Sequence, residues 1–218
     1  MGIYYRSLQR RREDHLTVRD YLWRWDTDWF WCSRAFGVQD PRVRRVVPKQ
    51  WLRSDTYWRI VDLERRYGPM RRLDRLRGQP LQEHVVQDIE VPVDRASEFC
   101  AFMLREVPIS PFWVCPLRLR RPARRWDLYE LDPDTLYVNF GFWSTVPLAD
   151  GQPEGTHNRR VEEVVGELGG RKSLYSTSFY EREEFWRLYN GSAYGALKAA
   201  YDPDGRLLDL YTKCVKNG

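Results

Sequence analysis

The sequence predicts an α+β fold: a ferredoxin-like antiparallel sheet with helices on one face, plus an N-terminal helical lobe and a C-terminal helical tail. Three observations predict it. Across 82–177, period-two and helix-period stretches follow one another as strand, helix, strand, strand, helix, strand. The clearest of these strands put apolar residues on one side and polar or aromatic residues on the other. The flanking segments carry helix caps and helix-spaced apolar residues instead of alternation. The division that follows is 1–80 for an aromatic-rich lobe, 81–178 for the βαββαβ unit and 179–218 for the tail.

In the lobe, 3–6 reads as a short opening strand. Thr17 starts a helix with Asp20 three residues on as an imperfect capping box, and Tyr21, Leu22 and Trp25 form its apolar stripe. The stretch 28–36 gathers Trp29, Phe30, Trp31 and Phe36, which is core material in the ordinary case. Turns follow at Asp40 with Pro41 and at Pro48. Ser54 caps a helix whose Tyr57, Trp58, Val61 and Leu63 point one way, stopped at Gly68 and Pro69. The charged stretch 71–77 reads as a solvated helical face.

From Gln82, Val85, Ile89 and Val91 fall on one side of a strand, and His84, Val86 and Asp88 on the other. Asp94 caps a helix carrying Ala96, Phe99, Met103 and Leu104 at helical spacing, ended by Pro108. A strand over 112–119 and a basic, proline-containing connection over 120–133 come next. In 135–143, Leu136, Val138, Phe140 and Phe142 face the helices while Tyr137, Asn139, Gly141 and Trp143 face away. Asn158 caps a helix with Val161, Val164, Val165 and Leu168 in its stripe, closed by Gly169 and Gly170. The last strand, 172–176, turns Leu174 toward the helices and Ser173 and Tyr175 away. Helices over 181–189, 193–201 and 207–215 make the tail, separated by Asn190 with Gly191 and by the turn at 202–205.

Composition narrows the function classes. The chain has 218 residues, 42% hydrophobic and 31% charged, which suits a folded protein with one sizeable core and a smaller lobe. No apolar run approaches the roughly 18 residues that span a bilayer, and no signal-type stretch follows Met1. A cytoplasmic protein is expected. The cysteines, Cys32, Cys100, Cys115 and Cys214, are scattered with no CxxC spacing, so no metal site is expected. The net charge of +5, mostly from arginine, is a weak pointer to anionic partners. Ten tryptophans and 13 tyrosines favour half-apolar, half-wet surfaces such as ligand grooves, interfaces or lipid.

The uncovered sheet face is the candidate site. There His84, Asp88, Tyr137, Asn139, Trp143 and Tyr175 share one surface, with His84 and Asp88 roughly 13 Å apart along their strand, flanking a ligand rather than bonding each other. A histidine, a carboxylate and tyrosine hydroxyls are usable proton donors and acceptors, although such residues on a sheet are more often structural. RNA stacking on sheet aromatics is the rival reading. Against it, Phe140 and Phe142 fall on the opposite side from Tyr137, and the basic residue and glycine of that motif are missing. There is no P-loop, no Gly-rich phosphate cradle after a strand and no GxSxG elbow.

The blocks HVVQD at 84–88, FWVCPL at 112–117, LYVNFGFW at 136–143 and EREEFWRLYNGSAYGALK at 181–198 are specific as a set. In order and spacing, over about 21–213, the chain resembles the C-terminal half of the delta(24)-sterol reductase-like FAD-linked oxidoreductases, flavoenzymes of the vanillyl-alcohol oxidase type. The resemblance implies a substrate or cap domain closing over a flavin, with the FAD phosphates held by an N-terminal FAD-binding domain or subunit that this sequence lacks. A C-terminal fragment, a truncated frame or one half of a split enzyme is the expectation, inactive alone, with a nonfunctional truncated remnant as the alternative.

It further implies FAD as cofactor, NADPH or NADH as electron donor, and reduction of a carbon–carbon double bond in a sterol-like or other lipid substrate. His84 and Asp88 become the candidate acid or relay groups. Tyr137, Asn139 and Tyr175, with Tyr211 and Lys213 on the returning tail, become the candidate contacts to flavin or substrate. The implied partners are the FAD-binding part and a hydrophobic small molecule, not nucleic acid. A membrane surface is a candidate peripheral contact through Trp23, Arg24, Trp25 and Trp29.

Overall fold

A computed structural model describes residues 3, 6–29, 37–68, 78, 80–110, 112–121 and 123–215, apart from the side chains of Leu8, Glu64 and Arg65. It divides into two compact units, 1–79 and 80–218. Of the expected opening strand at 3–6, Ile3 is irregular and Arg6 opens a 3-10 turn (Arg6–Gln9), while residues 4 and 5, most of the aromatic group at 28–36 and the charged stretch at 71–77 lie outside the described residues.

The first unit contains helices α1 (Val18–Leu22), α2 (Pro41–Val46) and α3 (Ser54–Tyr67) and a small core of Trp29, Val38 and Leu52, packed by Val47, Tyr57 and Ile60. Their starts follow local chemistry. The Thr17 hydroxyl accepts from the Asp20 amide at 3.1 Å and the Asp40 carboxylate from the Arg42 amide at 2.7 Å, each satisfying an orphan donor of a first turn. At α3 the expectation needs correcting. Ser54 donates both its amide and its hydroxyl to Asp26, at 3.1 and 2.7 Å, so the helix start is held from outside by an acid 28 residues earlier. The apolar stripes also differ from expectation. Tyr21, Leu22, Trp58 and Leu63 are exposed, because α1 is one short turn and α3 turns Tyr57 and Ile60 to the core.

The second unit is built on four antiparallel strands, β1 (Gln82–Pro92), β2 (Trp113–Leu117), β3 (Tyr137–Pro147) and β4 (Arg171–Lys172), in the order β2-β3-β1-β4. Helices α4 (Ala96–Glu106) and α5 (Thr156–Glu167) supply the two crossovers. This is the predicted βαββαβ arrangement. β1 and β3 pair along their full 11 residues, with Ile89 opposite Phe140 and Asp88 opposite Gly141. Directly opposed residues share a face, so the core collects Val85, Ile89, Val91, Val138, Phe140 and Phe142 against Phe99, Met103, Val161 and Val165 of the helices.

Two predicted caps are replaced. Asp94 lies in a single 3-10 turn at Val93–Arg95 ahead of α4 and makes no cap bond. Asn158 lies inside α5 and is buried. The α5 start is capped by the buried Glu83 of β1, whose carboxylate accepts from the His157 amide at 3.0 Å and the Asn158 amide at 2.9 Å. A negative charge there also meets the positive end of the helix dipole. Asn158 then donates its side-chain amide to Glu83 and accepts from Gln87 at 2.9 Å, tying helix to strand. Gly155, at φ +95°, precedes α5 with the Phe179 ring where a Cβ would stand.

β4 is shorter than the predicted 172–176 strand. A Cβ on Gly170 would meet the Glu90 carbonyl oxygen at 2.4 Å, so only glycine lets this segment approach β1. Pairing continues through the Ser173 amide to the Asp88 carbonyl, then the chain departs. Leu174 consequently packs outside the sheet core, in a cluster with Tyr180, Phe185, Tyr189, Tyr211 and Val215. That cluster joins α6 (Arg182–Leu188) and α8 (Leu210–Cys214) of the tail and includes Tyr129 of the long connection between β2 and β3, while α7 (Gly191–Tyr201) is tied to both through Tyr194, stacked on Trp186 and accepting from the Leu210 amide.

Candidate functional site

Strand register sets the open face row by row. Cys115, Asn139, Glu90 and Arg171 form one row across β2, β3, β1 and β4. Trp113, Gly141 and Asp88 form the next, followed by Trp143 with Val86 and Thr145 with His84. Trp113 is 58% exposed and Trp143 45%, while the acids between them are more enclosed. Gly141 makes this possible. A Cβ there would press on Asp88 Oδ1 at 3.2 Å and on the Trp113 Cβ at 3.3 Å, so its absence lets indole and carboxylate lie side by side.

The polar centre is a bonded set. Asn139 Nδ2 donates to Asp88 Oδ1 at 2.6 Å and to Glu90 Oε1 at 2.8 Å. The Tyr129 hydroxyl donates to the other Glu90 oxygen. Burial pushes the Glu90 carboxyl above its usual range, with the bonds from Tyr129 and Asn139 pulling the other way and the Asp88 charge adding to the rise. Burial also pushes the Tyr129 hydroxyl up, reinforced by the Glu90 charge.

Of the residues singled out from sequence, Asp88 and Asn139 are in direct contact. Tyr175 stands near them, 67% exposed, its hydroxyl raised first by burial and then by the Asp88 and Glu90 charges. His84 is on the same face but four residues along β1 from Asp88, opposite Thr145. Tyr137 is on this side too, yet it is covered, and its hydroxyl accepts from the Asp132 amide at 3.1 Å. Tyr211 lies in the tail cluster, its ring 5.3 Å from that of Phe185 and capped by the Arg182 guanidinium. Lys213 is exposed on α8.

Glu90 and Tyr129 were missed. Glu90 follows 84, 86 and 88 on the same parity and was legible by extending that alternation two residues. Tyr129 carried no signal, because nothing local in a proline-containing connection says which strand it returns to.

A second buried polar set lies beside β4. Lys172 is fully buried, with Nζ donating to Ser176 Oγ at 2.8 Å, and the Glu162 carboxylate of α5 accepts from the Phe179 amide at 3.0 Å. Burial raises the Glu162 carboxyl and lowers the Lys172 ammonium, each partly offset by the other's charge. Among the described residues no group of three His, Cys, Asp or Glu is placed to hold a metal, and no helix is long and apolar enough to cross a membrane.

No family model matches the sequence. Among curated proteins the chain is 30% identical over 142 residues to Delta(24)-sterol reductase of Rattus norvegicus and 28% over 142 residues to that of Homo sapiens. It is 24% identical over 148 residues to that of Arabidopsis thaliana. The matched stretches cover 62%, 62% and 61% of this chain and 26% of each relative, so the chain spans about a quarter of the length of these proteins. This is homology to Delta(24)-sterol reductases.

Proposed function

We propose that this chain is the substrate-side, or cap, part of an FAD-dependent oxidoreductase that reduces a carbon–carbon double bond of a sterol-like or other lipid substrate. The observation that carries the reading is the Asp88–Asn139–Glu90 set, with Asn139 and Glu90 buried and Asp88 partly accessible, beside the exposed indoles of Trp113 and Trp143, on a chain homologous to Delta(24)-sterol reductases. A flat apolar ligand needs apolar walls and few polar anchors, and this face offers both. Trp113, Trp143 and Val86 supply the walls; Asp88 and Asn139 supply the anchors.

The fit to a flavin is partial and specific. The Asp88 carboxylate with the Asn139 amide bonded to it, beside Gly141, suits the polar edge of a flat ring. The sequence has no Gly-rich phosphate cradle, so the FAD phosphates fall to a separate FAD-binding domain or subunit. Bound FAD would supply the hydride, with NADPH or NADH as its reductant. Asp88, the more accessible acid, donates the proton to the carbon that does not take the hydride, and Asn139 holds its carboxyl in place. Tyr175 borders the same surface, while Tyr137 shapes the wall through the 129–133 segment. His84, Tyr211 and Lys213 are left as more distant contacts with the partner domain.

Co-expression with an FAD-binding domain from a full-length relative tests this. The expected result is a co-purifying yellow complex in which Asp88→Asn keeps the flavin spectrum and loses turnover. A colourless chain that instead retains RNA in a salt-sensitive way would replace the reading with a nucleic-acid-binding one.

The first unit suits a peripheral membrane contact. Residues 1–79 carry 19 basic against 10 acidic residues, whereas 80–218 carry 17 against 21. Val18, Tyr21, Leu22 and Trp23 of the α1 region are exposed beside Arg24, which lies over the Tyr21 and Trp25 rings. Aromatic side chains with basic neighbours favour an anionic lipid interface. The purified chain is expected to pellet with anionic liposomes and not with neutral ones; pelleting with neither removes the membrane contact.

A further inference from the structure

We infer that the arginine-rich segment leaving β2, residues 118–126, is a docking surface of the second unit for anionic lipid headgroups. Arg118, Arg120, Arg121, Arg124 and Arg125 fall within eight residues, and all five are exposed. They run against the charge of their own unit. Residues 80–218 carry 17 basic against 21 acidic residues, and without these five the balance would be 12 against 21. The concentration is therefore local and not a share of a generally basic surface.

These guanidinium groups are also the ones left without carboxylates. Elsewhere in the unit Arg95, Arg105, Arg160, Arg182, Arg187 and Arg206 are ion-paired. Among the described residues Arg118, Arg120, Arg121 and Arg124 are in no ion pair, and Arg125 reaches Asp127 and Glu130 only at 3.6 and 3.9 Å. Like charges set side by side repel until an anionic surface lies across them.

The segment is held at both ends. β2 pairs with β3 as far as Leu117, opposite Tyr137, and the Tyr129 amide donates to the Trp126 carbonyl at 2.9 Å, with Tyr129 fixed in the tail cluster. Between these anchors the Arg124 amide closes a turn onto the Arg121 carbonyl at 3.0 Å. The Arg124 guanidinium lies 4.3 Å from the centre of the Trp126 ring, which is 48% exposed. A cation is thereby presented against an open indole, the pair that suits the boundary between headgroups and acyl chains.

Composition selects lipid over nucleic acid. From 116 to 126 the chain uses only proline, leucine, arginine, alanine and tryptophan. No side-chain amide or hydroxyl is present to read a base or a ribose. Arginines for phosphates, with apolar residues between them and an indole at the end, are the set that an anionic membrane surface takes. This contact is separate from the one proposed for the first unit and does not rest on the reductase reading.

The test is sedimentation of the full chain with phosphatidylcholine vesicles, with and without phosphatidylserine. Wild type is expected to bind only the vesicles that contain phosphatidylserine and to be released as added salt shortens the screening length. Arg120→Gln with Arg121→Gln and Arg124→Gln should weaken that binding at least about tenfold, since each arginine at such a surface contributes about fivefold. Arg105→Gln with Arg187→Gln and Arg206→Gln removes the same charge from exposed ion pairs elsewhere, which hold little folding energy, and should leave binding nearly unchanged. Without any substitution, phosphatidylserine vesicles should slow tryptic cleavage within 118–125, and neutral vesicles should not. No binding by wild type, equal behaviour of the two triple variants, or cleavage that vesicles leave unaltered overturns the proposal. Loss of RNA binding in place of vesicle binding in the first triple variant overturns it in favour of a nucleic-acid surface. Trp23→Ala with Arg24→Gln tests the first-unit contact by itself, and flavin co-purification tests the reductase reading, so each fails separately.

Discussion

Glu162 shows how a single buried carboxyl couples this fold to pH. Its folded-state pKa is raised above the usual 4.5 by burial. It therefore contributes stability that is fully present below about pH 4.5 and is lost as pH rises through the raised value. Lys172, lowered from 10.5, acts in the opposite sense, its contribution present above that value and lost as pH falls through the depressed one. Glu162→Gln is expected to flatten the fall in unfolding free energy between pH 5 and the raised midpoint, measured by urea denaturation at a series of pH values. A slope unchanged from wild type would show that Glu162 does not bind its proton more tightly in the folded state. Neither member of this pair stood out in the sequence. Glu162 occupies a helix position that reads as solvated, and only the return of the 171–179 segment over it closes off the water.

The elements are set by a few side chains acting at a distance. Glu83 caps α5 from β1, so Glu83→Ala leaves two amides and the buried Asn158 without their acceptor; a loss of about 3 kcal/mol is expected in chemical denaturation. Gly170→Ala is expected to cost at least about 2 kcal/mol and to loosen β4, seen as faster hydrogen exchange at the Ser173 amide, because the added Cβ has backbone on its far side and nowhere to move. A protected Ser173 amide in that variant would mean that the strand relaxes around the methyl. Strand parity was legible in β1 and β3, where the alternation put Val85, Ile89, Val91, Val138, Phe140 and Phe142 on the core side, and it failed beyond β4, where Leu174 leaves the sheet. A helix start was legible where the cap is local, as at Thr17, and missed at α3 and α5, where the cap comes from Asp26 and Glu83. A cap supplied by tertiary contact leaves no mark near the helix it serves.

At the scale of the molecule, each unit has its own apolar cluster, and the sheet core lies wholly within 80–218. Residues 80–218 expressed alone are expected to give a dispersed amide spectrum and one cooperative unfolding transition. A collapsed, poorly dispersed fragment would show that this core depends on the first unit. The tail belongs to this fold, since the Ser178 amide bonds the Cys214 carbonyl and the cluster around Phe185 reaches Tyr129. Through Tyr129 the C-terminal helices thus support the acid pair on the sheet, even though Tyr211 and Lys213 do not join it. By itself the sequence determined the sheet and the side on which Asp88 and Asn139 appear, because periodicity and hydrophobic burial act locally and repeat. Only the tertiary structure decided that Tyr129 reaches Glu90 and that Tyr137 is covered. Those outcomes depend on where irregular segments return, and no local period records that path.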